Sequence, residues 1–176
     1  MTYEDFLNVK SQSDVYSGFE PLWVPEFLYD FQKSLVDWSL RKGKAAIFAD
    51  CGLGKTPMQL VWAQNVVQKT NKRVLILTPL AVSQQTVGEA HKFDIEAHRS
   101  HDGKLFDGIN VTNYEQLHKF NPNDFAGCVC DESSILKSFD GATRWEITEF
   151  MRKMPYRALE TATAAPNDWI ELAQRL

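Results

Sequence analysis

The sequence predicts an α/β domain whose central, mainly parallel sheet is covered by helices on both faces. Short runs such as "KAAIFA", "RVLILT" and "GCVC" are nearly continuous in apolar residues, as strands buried on both faces must be. Longer stretches with apolar residues at helical spacing separate them. The polar clusters fall just after those runs, at the carboxyl ends of strands, where open parallel sheets gather their ligands.

Residues 1–25 are mixed in character, with Pro21 and Pro25 bracketing "LWV", and read as a lead-in to a domain over 26–176. In "PEFLYDFQKSLVDWSLRKG" the apolar residues Phe27, Leu28, Phe31, Leu35, Val36 and Trp38 lie near helical spacing. The stretch closes on Arg41, Lys42 and Gly43, a helix C-terminal signature. "KAAIFA" is then a strand, Lys55 to Lys69 a helix, "RVLILT" a strand and about 81–92 a helix. A short strand near 95–98 and another at "GINVTN" precede a helix starting at Tyr114. "GCVC" is a strand delivering Asp131 and Glu132, "ATRWEITEFMRKM" a helix, "YRALETAT" a strand and "DWIELAQRL" a last helix. The chain contains no internal repeat.

A length of 176 residues suits one well-buried domain, and 44% hydrophobic with 24% charged residues is ordinary for a soluble protein. No apolar run approaches the ~20 residues that cross a bilayer, so no membrane partner is expected. "MTYEDFLNVK" has no apolar core and is not a secretory signal, which makes a cytoplasmic location the expectation. The net charge of −4 excludes a surface coated in basic residues but is compatible with a local track for nucleic acid. Cys51, Cys128 and Cys130 form no even framework and read as small buried hydrophobes. Cys128 and Cys130 share one strand face, but no second ligand pair accompanies them, so zinc is not expected. His91, His98, His101 and His118 lack ligand spacing and read as surface residues.

The pattern G-x-x-x-x-G-K-[ST] is met from position 49, with Ala49 for its first glycine and then Gly54, Lys55 and Thr56. Gly52 and Gly54 let backbone N–H groups close around phosphates without a Cβ in the way. Asp50, Cys51, Gly52, Leu53 and Gly54 would wrap the phosphates, Lys55 would reach the β- and γ-phosphates, and the Thr56 hydroxyl would bind Mg²⁺. The helix after the loop aims its N-terminal amides at the same anion, and Pro57 fits its first turn, where an N–H has no partner anyway. The bland alternative is a glycine turn without a ligand. Downstream, Asp131 would hold Mg²⁺ through water and Glu132 would polarise the attacking water. Taken alone, such an acidic pair is as readily a solvated turn or a helix N-cap. Together with a phosphate loop it reads as catalytic.

These residues carry a resemblance. "ADCGLGKT", "DESS" and "TATAAPNDWIEL" resemble motifs I, II and III of superfamily-two helicases, particularly the Swi/Snf-type branch and its phage and bacterial relatives. "LYDFQ" resembles the Q motif, "LTPLAVSQQT" motif Ia and "VTNYEQL" motif Ib, in the family's order from residue 28 to about 173. The resemblance implies the RecA-like P-loop NTPase fold, ATP and Mg²⁺ as cofactors, and Gln32 reading adenine. On its own, Gln32 would read as an exposed polar residue of a helix. Pro79, Ser83, Gln84, Thr112, Asn113 and Tyr114 would touch one nucleic-acid strand, with loop capping the alternative for each. Lys137 would add a phosphate contact or be a solvated lysine.

Thr161 and Thr163 would couple the γ-phosphate region to the nucleic acid. Ala162 and Ala164 stand where relatives have glycine and proline. Double-stranded DNA and a second RecA-like domain are the implied partners, the second domain being expected outside this chain, in a bacterial or phage-infected cell. Hydrolysis by the isolated domain is then expected to be weak. A non-motor nucleotide-binding module that regulates or binds a partner is a different reading. A metabolic P-loop kinase would need a lid and a phosphoacceptor site that the sequence does not display.

Overall fold

The computed structural model describes residues 16–137 and 139–162. Six strands, β1 (Lys44–Phe48), β2 (Arg73–Thr78), β3 (Ala97–Arg99), β4 (Ile109–Asn113), β5 (Phe125–Cys130) and β6 (Tyr156–Thr161), make one sheet. Every pairing is parallel, in the order β1-β6-β5-β2-β4-β3. The helices are α1 (Asp30–Lys42), α2 (Lys55–Thr70), α3 (Ser83–Lys92) and α4 (Gly141–Arg152), with 3-10 turns at Tyr114–Lys119, Pro122–Asp124 and Ser133–Lys137.

Alternation along β2 shows how the sheet divides its cores. Val74 and Ile76 join Val36, Met58, Trp62 and Val66 under the face covered by α1, α2 and α3. Leu75 and Leu77 point the other way, into a cluster with Tyr114, Cys128, Cys130, Ile147 and Phe150. Burial on both faces is why these strands are apolar throughout. The sheet is thus parallel and sandwiched, as the sequence predicts, and the order places β6 between β1 and β5.

α1 ends at Gly43, whose φ of 74° and N–H bond to Ser39 O form the left-handed cap that the glycine predicts. The helix expected from Tyr114 is instead a 3-10 turn of 6 residues. Asn113 caps it by accepting from Gln116 N, and the chain turns extended at Phe120 and Asn121 because Pro122 follows. The final helix read at "DWIELAQRL" lies outside the described residues.

The described part of the lead-in packs on this frame. Gly18 N and Phe19 N donate to Arg41 O and Leu40 O, each at 3.0 Å. The buried Asn65 of α2 accepts from Leu22 N (2.7 Å) and Trp23 N (2.9 Å) through Oδ1, and its Nδ2 donates to Trp23 O (2.8 Å). Among the described residues, no helix is long and apolar enough to cross a membrane.

Candidate nucleotide site

The loop after β1 begins inside the sheet. Ala49 is buried and donates its N–H to Thr161 O at 3.1 Å, so this position still belongs to the strand end and has no use for a glycine. The turn follows: Cys51 N donates to Asp50 Oδ1 (2.8 Å) and Leu53 N to Asp50 O (3.3 Å). Gly52 and Gly54 have φ of 83° and 70°, a left-handed backbone that a Cβ strains. No atom lies within 4 Å of where a Gly52 Cβ would stand, so this side of the loop is open to a ligand.

α2 starts at Lys55, with Thr56 and Pro57 in its first turn, so its N-terminal amides face the loop. The Lys55 ammonium folds back over the turn, donating to Ala49 O (3.0 Å) and Asp50 O (3.3 Å). Cys51 departs from the buried role expected of it: it is exposed, because it stands in this open turn, whereas Cys128 and Cys130 are buried.

β5 delivers the acidic pair to the same end of the sheet. Asp131 N donates to Leu77 O at 2.8 Å, and Asp131 O accepts from the Tyr114 hydroxyl at 2.6 Å. Burial pushes the Asp131 carboxyl above its ordinary pKa. The amide of Gln59 and the charge of Lys55 oppose that rise, and the charge of Glu132 adds to it. Gln59 faces Asp131 without completing a hydrogen bond to it.

Glu132 has a φ of 50°, a left-handed conformation that costs a non-glycine residue about 1–2 kcal/mol. Its Oε1 accepts from Thr161 Oγ1 at 2.9 Å and from the Ser134 hydroxyl. Burial raises its pKa, but the bonds from Ser134 and Thr161, with Lys55 and the Ala162 N–H, outweigh burial and hold it below the ordinary value. Glu132 is therefore ionised at neutral pH, and Thr161 ties the end of β6 to the acidic turn. Thr163 lies outside the described residues.

Strand order explains the convergence. β6 pairs with β1 on one side and β5 on the other, so the loops after β1 and β5 open at neighbouring strand ends. Lys55 acts electrostatically on Asp131 and Glu132 alike. An ammonium, a hydroxyl, helix-end amides and two carboxylates form a donor set suited to a nucleoside triphosphate with Mg²⁺. Among the described residues, no group of three or more His, Cys, Asp or Glu could itself hold a metal ion.

The other predicted residues fare differently. Gln32 is buried, not an exposed helix residue. Its Oε1 accepts from Tyr29 N (2.9 Å), while Nε2 donates to Leu53 O (2.9 Å) and Gly54 O (3.4 Å), so its amide braces the glycine turn after β1. Ser83, Thr112 and Tyr114 are corrections: their side chains are buried and cannot face a nucleic-acid strand. Ser83 bonds Thr78 inside the fold, and Tyr114 is drawn in by its apolar ring and its bond to Asp131. Asn113 follows the capping alternative. Gln84 is exposed and Pro79 half-buried at the carboxyl end of β2; the Lys137 side chain lies outside the described set. Sequence reading missed Gln59 and Glu160, both fully buried beside the acidic pair. A carboxylate inside the run "YRALETAT" was the available signal for Glu160.

A cavity of about 630 Å³ opens elsewhere, lined by Trp23, Asn71, Glu96, His98 and Phe106 among others. These residues lie near the amino ends of β2, β3 and β4, away from the loop after β1.

Solved structures show what this architecture is. The chain is similar to the UvsW helicase of bacteriophage T4, with a TM-score of 0.67 at 14% identity over 99% of this chain and 64% of that one. It is similar to the SWI2/SNF2 ATPase core of Sulfolobus solfataricus in complex with double-stranded DNA, with a TM-score of 0.63 at 19% identity over 87% of this chain and 35% of that one. The same organism's ATPase core domain gives 0.65 at 21%, over 87% and 34%. The fold is RecA-like. The chain thus spans between about a third and two thirds of the structures it matches. No protein-family model matches it, and no curated protein does.

Proposed function

We propose that the chain is the ATP-binding motor domain of a nucleic-acid-dependent ATPase of the helicase or translocase type. The observation that carries this reading is the convergence of Lys55, Asp131 and Glu132 at neighbouring strand ends, with Glu132 held ionised. ATP with Mg²⁺ supplies the phosphoanhydride bond to be cleaved. Lys55, the α2 amides and the backbone of residues 50–54 bind the phosphates, while Thr56 and Asp131 hold Mg²⁺. To reach phosphate, Lys55 exchanges its bonds to Ala49 O and Asp50 O for charge-assisted ones. The Glu132 carboxylate, anchored through Oε1, orients a water and accepts its proton. A Gln32 that reads adenine exchanges its bonds to Leu53 O and Gly54 O for the base.

The solved relatives include a complex with double-stranded DNA, which supports DNA as the partner here. The carboxyl end of β2, with the half-buried Pro79 and the exposed Gln84, forms the proposed track. An arginine from a second RecA-like domain, outside these 176 residues, completes the site. Such arginines contribute about 10³–10⁵ in rate, so hydrolysis by the chain alone is weak.

Calorimetry of ATP–Mg²⁺ with the unchanged chain and with Lys55→Ala tests the site. Binding is expected only for the first, and equal affinity refutes the assignment. In the parent protein, Glu132→Gln is expected to keep ATP affinity and lose hydrolysis. Indifference to that change would point to a regulatory module rather than a motor.

A further inference from the structure

The register puts a third carboxyl into the floor of the site. β6 pairs Glu160 with Ile47 of β1 and Leu159 with Cys130 of β5, so Glu160 stands one step beyond that last pair, beside Asp131. Glu160 is fully buried, and neither carboxyl oxygen has a hydrogen-bond partner. Gln59 of α2 is fully buried as well, with neither amide atom paired. The neighbouring core on this face of the sheet is apolar, with Met58, Val129 and Ala158 all completely enclosed. Leucine at either position would spare the fold the cost of an unpaired buried polar group. Local rules broken at two places that both neighbour Asp131 mark a functional constraint rather than a packing one.

We propose that Glu160 and Gln59 are positioning residues that form a polar floor beneath Asp131 and fix the orientation of its carboxylate toward nucleotide-bound Mg²⁺. This rests on the nucleotide reading above. Gln59 offers its amide to Asp131 from the side of α2, and Glu160 adds an unpaired carboxyl beside Asp131 from β6. Outer partners of metal ligands act in this way, and their loss costs about 10–100-fold in metal affinity.

Glu160→Leu, Gln59→Leu and Glu160→Gln in the 176-residue chain test the proposal with two readouts. One is thermal unfolding without nucleotide; the other is ATP affinity measured with Mg²⁺ and with EDTA. Both leucine variants are expected to unfold at the same or a higher temperature. They should lose at least about tenfold in Mg²⁺-dependent affinity with the EDTA value unchanged. Glu160→Gln keeps a polar group of the same length and is expected to stay within about twofold of the unchanged chain, below the 10–100-fold range of a lost outer partner. Leucine variants that bind ATP–Mg²⁺ normally overturn the proposal, as do variants that fail to fold or lose affinity equally in EDTA. Absence of Lys55-dependent binding in the unchanged chain overturns the nucleotide reading, and this inference with it. Binding that depends on Lys55 but ignores Glu160 overturns this inference alone.

Discussion

Replacing Asn65 by alanine isolates one polar clamp. Its side chain accepts from Leu22 N and Trp23 N and donates to Trp23 O and Val61 O, at 2.7 to 2.9 Å. Alanine strands two backbone N–H groups and one carbonyl of the leading segment, while Val61 O keeps its bond within α2. The contacts to this segment are only partly buried, so water replaces some of what is lost. At the low end of the cost of an unmade hydrogen bond, about 1 kcal/mol each, the three groups together cost about 3 kcal/mol. For a domain of this size, that lowers the melting temperature by about 6–12 °C. Circular dichroism measures the melt, and amide hydrogen exchange at Leu22 and Trp23 reports whether the segment has come away. A fall under about 2 °C with both amides still protected would refute the reasoning, since the segment would then be held by its aromatic packing instead.

Three further outcomes are expected. Tyr114→Phe strands the Asp131 carbonyl and should cost about 1–2 kcal/mol in chemical denaturation while leaving nucleic-acid affinity unchanged; the reverse result would put the hydroxyl on the surface. Gly54→Ala pairs a φ of 70° with a Cβ 2.4 Å from Gln32 Nε2, so it should destabilise by at least about 1 kcal/mol and weaken ATP binding as Gln32 releases the loop. Glu160 has a folded pKa well above its ordinary 4.5, so the folded state holds a proton that the unfolded chain gives up once pH exceeds that value. Stability from this group falls as pH rises from about 4.5 toward the folded pKa, and Glu160→Gln should flatten that decline in melts across the range. An unaltered slope would mean that Glu160 is solvated.

The sheet was legible because its strands are buried on both faces, which leaves apolar runs such as "VLIL" that no amphipathic helix would show. The places of the glycine turn after β1 and of the acidic pair after β5 were legible because each follows such a run. What escaped depends on contacts between distant positions. Tyr114 sits in a polar stretch, and only its bond to Asp131, 17 residues away, shows that it faces inward. Gln32 looks like any polar residue on a helix until the loop carbonyls arrive 21 and 22 positions later. Asn65 likewise looks like an ordinary helical polar residue, although it fastens a segment more than 40 residues before it. Glu160 conflicts with its own strand, and a conflict of that kind shows only once its neighbours are known.

The open turn after β1 has a practical consequence through Cys51. Cys51 is exposed, and the other two cysteines of the chain are sealed in the core. A thiol-directed fluorophore or spin label would therefore attach next to the glycines without any engineered residue. Its attachment rate with and without ATP would give a footprint of the turn, because a ligand seated there would shield the thiol. A bulky group attached at Cys51 would in turn obstruct the side of the loop that Gly52 leaves open.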